Sequence, residues 1–264
     1  ITIQNNLIES SEATGINDNV GSVTITQNTI TGSGVNSGGG CTELSAIRLL
    51  QNNTIITNNV INTSAGAGIV LVGGTTSGNL ISQNSIYANG TSGQALGIDI
   101  NGNGVTLNDN GDSDTGPNGS LNFPVFEAVT ISGNTLKIVG WSRPGAIIEL
   151  FITDITAGTA NLGDNRLGLT QDYGEGQTYF ATVVEGSADD NDNTVSSYND
   201  ADGNTDNTNK FSFSINLTST ITVGNIITAT ATIGNSTSEF ANTFSVGAAT
   251  VITNRKITYR VKPN

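Results

Sequence analysis

Along residues 1–107, apolar and polar positions alternate over short runs, as in Ile1-Thr2-Ile3 and Val23-Thr24-Ile25. A period of two predicts strands with one face turned to a core, and the Val, Ile and Thr content agrees. One six-residue pattern, Ile-x-x-Asn-x-Ile, joins the runs in pairs. It occurs as Ile3-Asn6-Ile8, Ile25-Asn28-Ile30, Ile56-Asn59-Ile61 and Ile81-Asn84-Ile86, at offsets of 22, 31 and 25 residues. Each copy predicts a strand, an Asn corner and a second strand. Asn tolerates a left-handed backbone, so Asn6, Asn28, Asn59 and Asn84 are the expected corner residues. Stacked copies would place the four amides in a hydrogen-bonded ladder, with the isoleucines filling a narrow core. Asn62 is expected in a loop.

A further strand repeats in step: Ala46-Ile47-Arg48-Leu49, Gly68-Ile69-Val70-Leu71 and Gly97-Ile98-Asp99-Ile100. The small residue at its head predicts a tight corner, and inserts such as Gly32 to Gly40 predict surface loops. Self-similarity at such intervals marks a solenoid. A leucine-rich repeat is disfavoured, because Ile and Val hold the repeated positions and no helix follows the strand. The Ile-x-x-Asn-x-Ile residues resemble the right-handed parallel β-helix repeat proteins, an architecture also used by pectate lyases. The resemblance covers about residues 1–105 and implies an architecture, not an activity.

The repeats stop after Ile100. Residues 108–125 read as an acidic junction containing Asn108-Asp109-Asn110-Gly111-Asp112-Ser113-Asp114. Seven β-rich runs follow: Ala128–Ser132, Thr135–Trp141, Ile147–Thr153, Thr178–Glu185, Lys210–Asn216, Ile226–Ile233 and Glu239–Val246. Their number and punctuation predict a β-sandwich over residues 126–247. Phe211-Ser212-Phe213-Ser214-Ile215 alternates cleanly, so one face is meant for a core. Trp141 is expected to cap or fill that core; the alternative is a platform for a sugar ring. The stretch from Leu96 through Asp112-Ser113-Asp114-Thr115-Gly116-Pro117-Asn118 to Asn122-Phe123-Pro124-Val125 resembles a junction in large adhesin-like surface proteins of the Bacteroidota. There it joins a β-helix to an immunoglobulin-like sandwich. Tyr173-Gly174-Glu175-Gly176-Gln177-Thr178-Tyr179 resembles a loop of that sandwich. The fold class expected is therefore all-β, a right-handed parallel β-helix followed by an immunoglobulin-like β-sandwich.

Charge narrows the function. The net charge is −13, which argues against a nucleic-acid partner. Four of the nine basic residues, Arg255, Lys256, Arg260 and Lys262, sit in a tail at 248–264 read as a linker or an extra strand. No run of 18 apolar residues predicts a membrane span. The chain holds no Met and starts inside a repeat, which reads as a piece of a longer protein whose upstream part covers the first coil. Cys41 is the one cysteine, and with no His in the chain to activate it, it reads as a loop thiol.

The solenoid offers few residues for catalytic chemistry. Before Asp109 the acids are Glu9, Glu12, Asp18, Glu43 and Asp99, and no two share a coil position. Glycoside hydrolysis needs a carboxylate pair. Asp99, between Ile98 and Ile100, is expected to point outward into solvent. These absences predict a non-enzyme: a structural or adhesive segment of a secreted, extracellular surface protein. Its partners would be neighbouring domains of its own chain and a surface glycan or protein. The alternative is a carbohydrate-active β-helix enzyme with its catalytic coils elsewhere. Two acidic loops are read either as calcium sites or as solvated linkers: Asp109, Asp112 and Asp114 at the junction, and Asp200, Asp202 and Asp206 in the long loop before the fifth run. Calcium takes six to eight oxygens from a flexible loop, which such stretches supply.

Overall fold

A computed structural model describes residues 1–35, 44–74, 76–153, 167–218 and 220–249. Cys41 and the four basic residues of the tail lie outside these residues, while the tail's first residue, Ala248, ends a strand. The first part is four coils of three short strands each. The strands are β1 (Thr2–Gln4), β2 (Leu7–Glu9) and β3 (Ile16–Asp18); β4 (Thr24–Thr26), β5 (Thr29–Thr31) and β6 (Ile47–Leu49); β7 (Ile55–Thr57), β8 (Val60–Asn62) and β9 (Ile69–Leu71); β10 (Leu80–Ser82), β11 (Ser85–Tyr87) and β12 (Ile98–Ile100). Equivalent strands stack into three parallel sheets, β1-β4-β7-β10, β2-β5-β8-β11 and β3-β6-β9-β12.

Register follows the sequence repeat. Ile3, Ile25, Ile56 and Ile81 pair in one column. Ile8, Ile30, Ile61 and Ile86 pair in the next. Ile16, Ile47, Ile69 and Ile98 pair in the third, and the three columns share one core. Each fully buried Ile contributes roughly 1.5–3 kcal/mol of transfer free energy. The third strand of the first coil, Ile16–Asp18 behind Gly15, escaped the sequence reading because Asn17-Asp18 breaks its apolar run.

The Asn ladder exists, but its Asn residues do not make the turn. The left-handed residues are one position earlier: Asn5, Gln27, Asn58 and Gln83, with φ between 52° and 58°. This frees the two inner ladder residues, Asn28 and Asn59, to bond to the coils on either side. Asn28 N and Nδ2 both donate to Asn59 Oδ1, at 2.9 and 3.0 Å. Asn59 repeats this on Asn84 Oδ1, and its Nδ2 also reaches Ile25 O and Thr57 O. Asn62 is in β8, not in a loop, and its Oδ1 accepts Thr31 Oγ1 at 2.7 Å. The small residues heading the third strands serve close approach rather than turning. A Cβ on Gly68 would stand 2.7 Å from Gly97 O.

The second part has ten strands: β13 (Val125–Ser132), β14 (Thr135–Ser142), β15 (Ile147–Thr153), β16 (Thr178–Val184), β17 (Val195–Asn199), β18 (Thr205–Asn216), β19 (Ile226–Ile233), β20 (Ser236–Thr237), β21 (Phe244–Ser245) and β22 (Gly247–Ala248). They form two sheets, β17-β18-β14-β13-β22 and β16-β15-β19-β20, with β21 also on β19. All pairings are antiparallel except β13 with β22. Phe126, Leu136, Ile138, Phe211 and Phe213 of one sheet pack on Ile148, Leu150, Ile227, Ala229 and Ala231 of the other. Two expectations fail here. Glu239–Val246 is not one strand; within it only Phe244–Ser245 forms a strand, and Asn242 makes an isolated antiparallel bridge to Tyr173. The long acidic loop is partly a hairpin, β17 against β18, with residues 200–204 as its turn.

The second sheet is covered on both faces. Ile148, Leu150, Ala229 and Ala231 face the sandwich core. The alternate residues Glu149, Phe151, Thr228, Thr230 and Thr232 are equally buried, on the opposite face. There Phe151 and Phe240 join the isoleucine core of the solenoid, and Thr230 lies with them beside Ile81, Ile86 and Ile98. The sandwich thus closes the end of the coil stack.

Candidate functional site at the solenoid–sandwich junction

The last coil has no further coil to receive its backbone N–H groups. Groups from beyond it take the place of one. Asn118 Oδ1 accepts Asn79 N at 3.0 Å, as Asn79 Oδ1 accepts Thr54 N one coil earlier. Thr237 Oγ1 accepts Ile81 N at 3.0 Å. Glu149 takes Ser82 Oγ at 2.6 Å and Gln83 N at 2.9 Å. Glu175 Oε1 takes Asn89 N at 3.1 Å and Nδ2 at 2.7 Å. Glu239 takes Ile100 N at 2.7 Å and Thr106 N at 2.8 Å. Burial raises the proton affinity of all three glutamates, most at Glu239, where nearby Asp99 adds to it. Glu239 is pushed up to about 8 and Glu175 to about 7, while Glu149 is raised. Sequence reasoning missed all three. The one signal was an acid inside an apolar run, as in Ile148-Glu149-Leu150.

The junction loop brings Asp109, Asp112 and Asp114 together, with one carboxylate oxygen of each within 4.8 Å of the others. Gly111 and Asp112, at φ 88° and 54°, make the turn that allows this. Asp109 accepts Ser113 N at 3.0 Å, and Asp112 accepts Asn122 N at 2.8 Å. Burial and then mutual repulsion push Asp114 up to about 6 and raise Asp112. The charge is partly balanced across the fold, which the sequence did not show: Arg143 Nε is 4.0 Å from Asp112 Oδ2.

The second acidic loop does not converge. Asp200 Oδ1 is occupied by the N–H groups of Asp202, Gly203 and Asn204. Asp202 turns to Thr170, Gln171 and the Tyr173 hydroxyl. Asp206, 1 % exposed, points to the first loop, where it accepts Gly111 N at 2.8 Å and Arg143 Nη1 at 3.0 Å. The three carboxylates point to three different places, so this loop makes no joint cation cage of them. An Asx turn and the two β17–β18 strands explain its spacing instead.

Asp99 also departs from expectation. It does point away from the solenoid core, but it is only 8 % exposed. Its carboxylate accepts Asn103 N at 3.1 Å and Gly104 N at 3.3 Å, and burial pushes it up to about 6. It lines a cleft of about 470 Å³ between the third parallel sheet and the loops at 102–107 and 167–169. Trp141 is held by contacts within the fold. Its Nε1 donates to Ser196 Oγ at 2.8 Å, the Tyr198 ring lies 5.4 Å away, and Lys210 Nζ stands 4.9 Å over its ring. It packs in a satellite cluster with Phe123 and Tyr173, outside the main sandwich core.

No helix is long and apolar enough to cross a membrane among the described residues. Residues 1–143 match the family model described as the right-handed beta helix region, so the match runs past the last coil at Ile100 into the first sandwich hairpin. With four in-register coils and a match over more than half of its length, the chain belongs to the right-handed beta helix region family.

Proposed function

We propose that this segment is a structural and adhesive part of a secreted bacterial surface protein, and that its two-sheet unit is immunoglobulin-like. The observation that carries this reading is the closed junction. Burying the outer face of a sandwich sheet under the coil stack joins the two cores through one shared sheet, as a spacer under tension needs. The family includes both surface proteins and carbohydrate-active enzymes, so the reading rests on residues. Among the described residues of the coils, Asp18 is engaged with Thr54, Val20 and Gly21. Asp99 is the one acid lining the large cleft. The acid beside Asp99, Glu239, is buried behind it and taken up by Ile100 N and Thr106 N, so it does not face Asp99 across the cleft as a glycosidase pair would. The test is a paired assay of the segment and its parent chain on immobilised surface glycans and on pectin and alginate. Retention on a glycan or cell surface without turnover supports the reading. Turnover that disappears in Asp99→Asn overturns it in favour of a polysaccharide-cleaving enzyme.

A calcium role at Asp109, Asp112 and Asp114 is part of the proposal, favoured by the convergence of their oxygens. Three carboxylates with neighbouring backbone carbonyls suit calcium's oxygen preference. Calcium bound to the folded state would raise the melting temperature, and chelator would reverse the shift. Asp112→Ala should remove most of the effect. A melting curve indifferent to millimolar calcium would leave Arg143 as the counter-charge of this loop.

A further inference from the structure

We propose that the cleft over Asp99 binds a primary ammonium group carried on an aliphatic stem, the chemistry of a lysine side chain or of a free alkylamine. The inference does not depend on the adhesive reading. The floor of the cleft is Val70 and Asp99, register partners on the outward face of β9 and β12. Among the described residues its lining sets aliphatic side chains, Ala95, Leu107, Leu167 and Leu169, beside the polar Gln94 and Asn103, and includes no aromatic ring. Such walls suit a methylene stem better than a pyranose, which favours a flat ring to stack on.

The carboxylate sets the charge of the ligand. Asp is almost never this buried without a partner, because an isolated buried charge is costly. Asp99 has only backbone partners: the N–H groups of Gly102, Asn103 and Gly104. Each carboxylate oxygen can accept about two bonds, so acceptor capacity remains on the cleft side. No salt bridge reaches Asp99 among the described residues. The nearest basic residue on that sheet face is Arg48, separated from Asp99 by the Val70 strand and bonded to Asn17. Behind Asp99 lies Glu239, which burial and the neighbouring Asp99 keep protonated up to about 8, so that at neutral pH Asp99 is the charged one of the two. A divalent metal is disfavoured, since one lining carboxylate falls short of the oxygens such an ion collects. An ammonium offers three donors, and its bonds to a carboxylate are charge-assisted.

The test is a titration of the chain with n-butylammonium, followed by amide NMR and calorimetry at neutral pH, with n-butanol as the uncharged control. Parallel arms use a short peptide carrying one lysine and the same peptide with that lysine acetylated. The expected result is saturable binding that shifts the Asn103 and Gly104 amides, with n-butanol weaker by about tenfold or more. Asp99→Asn should weaken n-butylammonium by a similar factor. Lowering the pH below about 6 should also weaken it as Asp99 takes a proton. A lysine peptide that binds more tightly than n-butylammonium, with the acetylated form inert, would make the source a partner protein. Equal affinities would make it a free amine. If Asp99→Asn does not fold, Ala95→Phe keeps the question open to test, because it fills the cleft and leaves the carboxylate in place; it should abolish binding. No saturable binding at millimolar n-butylammonium, equal binding of n-butanol, or unchanged binding by a folded Asp99→Asn or Ala95→Phe would overturn the proposal.

Discussion

At the scale of single residues, the interior of this protein is held in place by side chains that complete backbone hydrogen bonds. Asn59 is the clearest case. It bonds to Asn84, Ile25 and Thr57 and receives Asn28, and is itself buried. Asn59→Leu leaves those partners unpaired and should cost about 1–3 kcal/mol of stability, read as a lower urea midpoint. Asn62→Leu, whose bonds are partly exposed, should cost less than half as much; equal losses would argue against the ladder. The buried glutamates give a pH signature. Glu175 and Glu239 hold their protons to about 7 and 8, and Glu149 is also raised. In the unfolded chain a Glu titrates near 4.3. Between these values the folded state binds more protons, so stability falls as pH rises. The melting midpoint should drop from pH 5 to pH 8, and Glu175→Gln should flatten that slope. The lowered groups, Asp192 and Asp202, act only below about pH 4, where stability is lost as pH falls. A midpoint that rose from pH 5 to pH 8 would contradict the burial of these acids.

At the scale of elements, the coils were legible because each repeats the same register. The Ile-x-x-Asn-x-Ile spacing alone places two of the three sheets, and the Gly- or Ala-headed strand places the third. What stayed hidden was hidden for physical reasons. Asn5 and Asn58 sit beside a ladder Asn, so sequence does not say which of the two turns the chain. Thr228, Thr230 and Thr232 are polar, so nothing in the sequence marks their face of β19 as buried, yet the methyl of Thr packs well and its hydroxyl finds local partners, Ala241 O and Thr237 among them. An acid between apolar residues reads as an outward group, whether its cover is water, as expected for Asp99, or another domain, as found. The junction cluster was legible because its three acids lie within six residues; Arg143 and Asp206 were not, because tertiary contact brings them there. Gly97 tests the fit of the elements. A Cβ there would stand 2.9 Å from the Phe240 ring and 3.1 Å from Glu175 Cα. Gly97→Val should therefore destabilise by about 1–3 kcal/mol through overpacking. Gly93→Val, with nothing within 4 Å, should stay within about 0.5 kcal/mol of the parent.

At the scale of the molecule, the second sandwich sheet is a wall shared by two cores. One face packs on its partner sheet and the other ends the coil stack, with glutamates, Thr237 and Asn118 standing in for a further coil. Exposed strand edges invite unwanted pairing, and covering one removes that liability. A closed end also makes coils and sandwich unfold together, since neither keeps its buried surface alone. Hydrogen exchange of the intact chain tests this directly. The amides of Ile81, Asn89 and Ile100 donate not to a coil but to Thr237, Glu175 and Glu239. If the sandwich closes the solenoid, these three exchange only through global unfolding, as slowly as the amides of β18 in the sandwich core. Exchange at the rate of a frayed strand edge, while β18 stays protected, would show the coil stack open at this end and contradict the account.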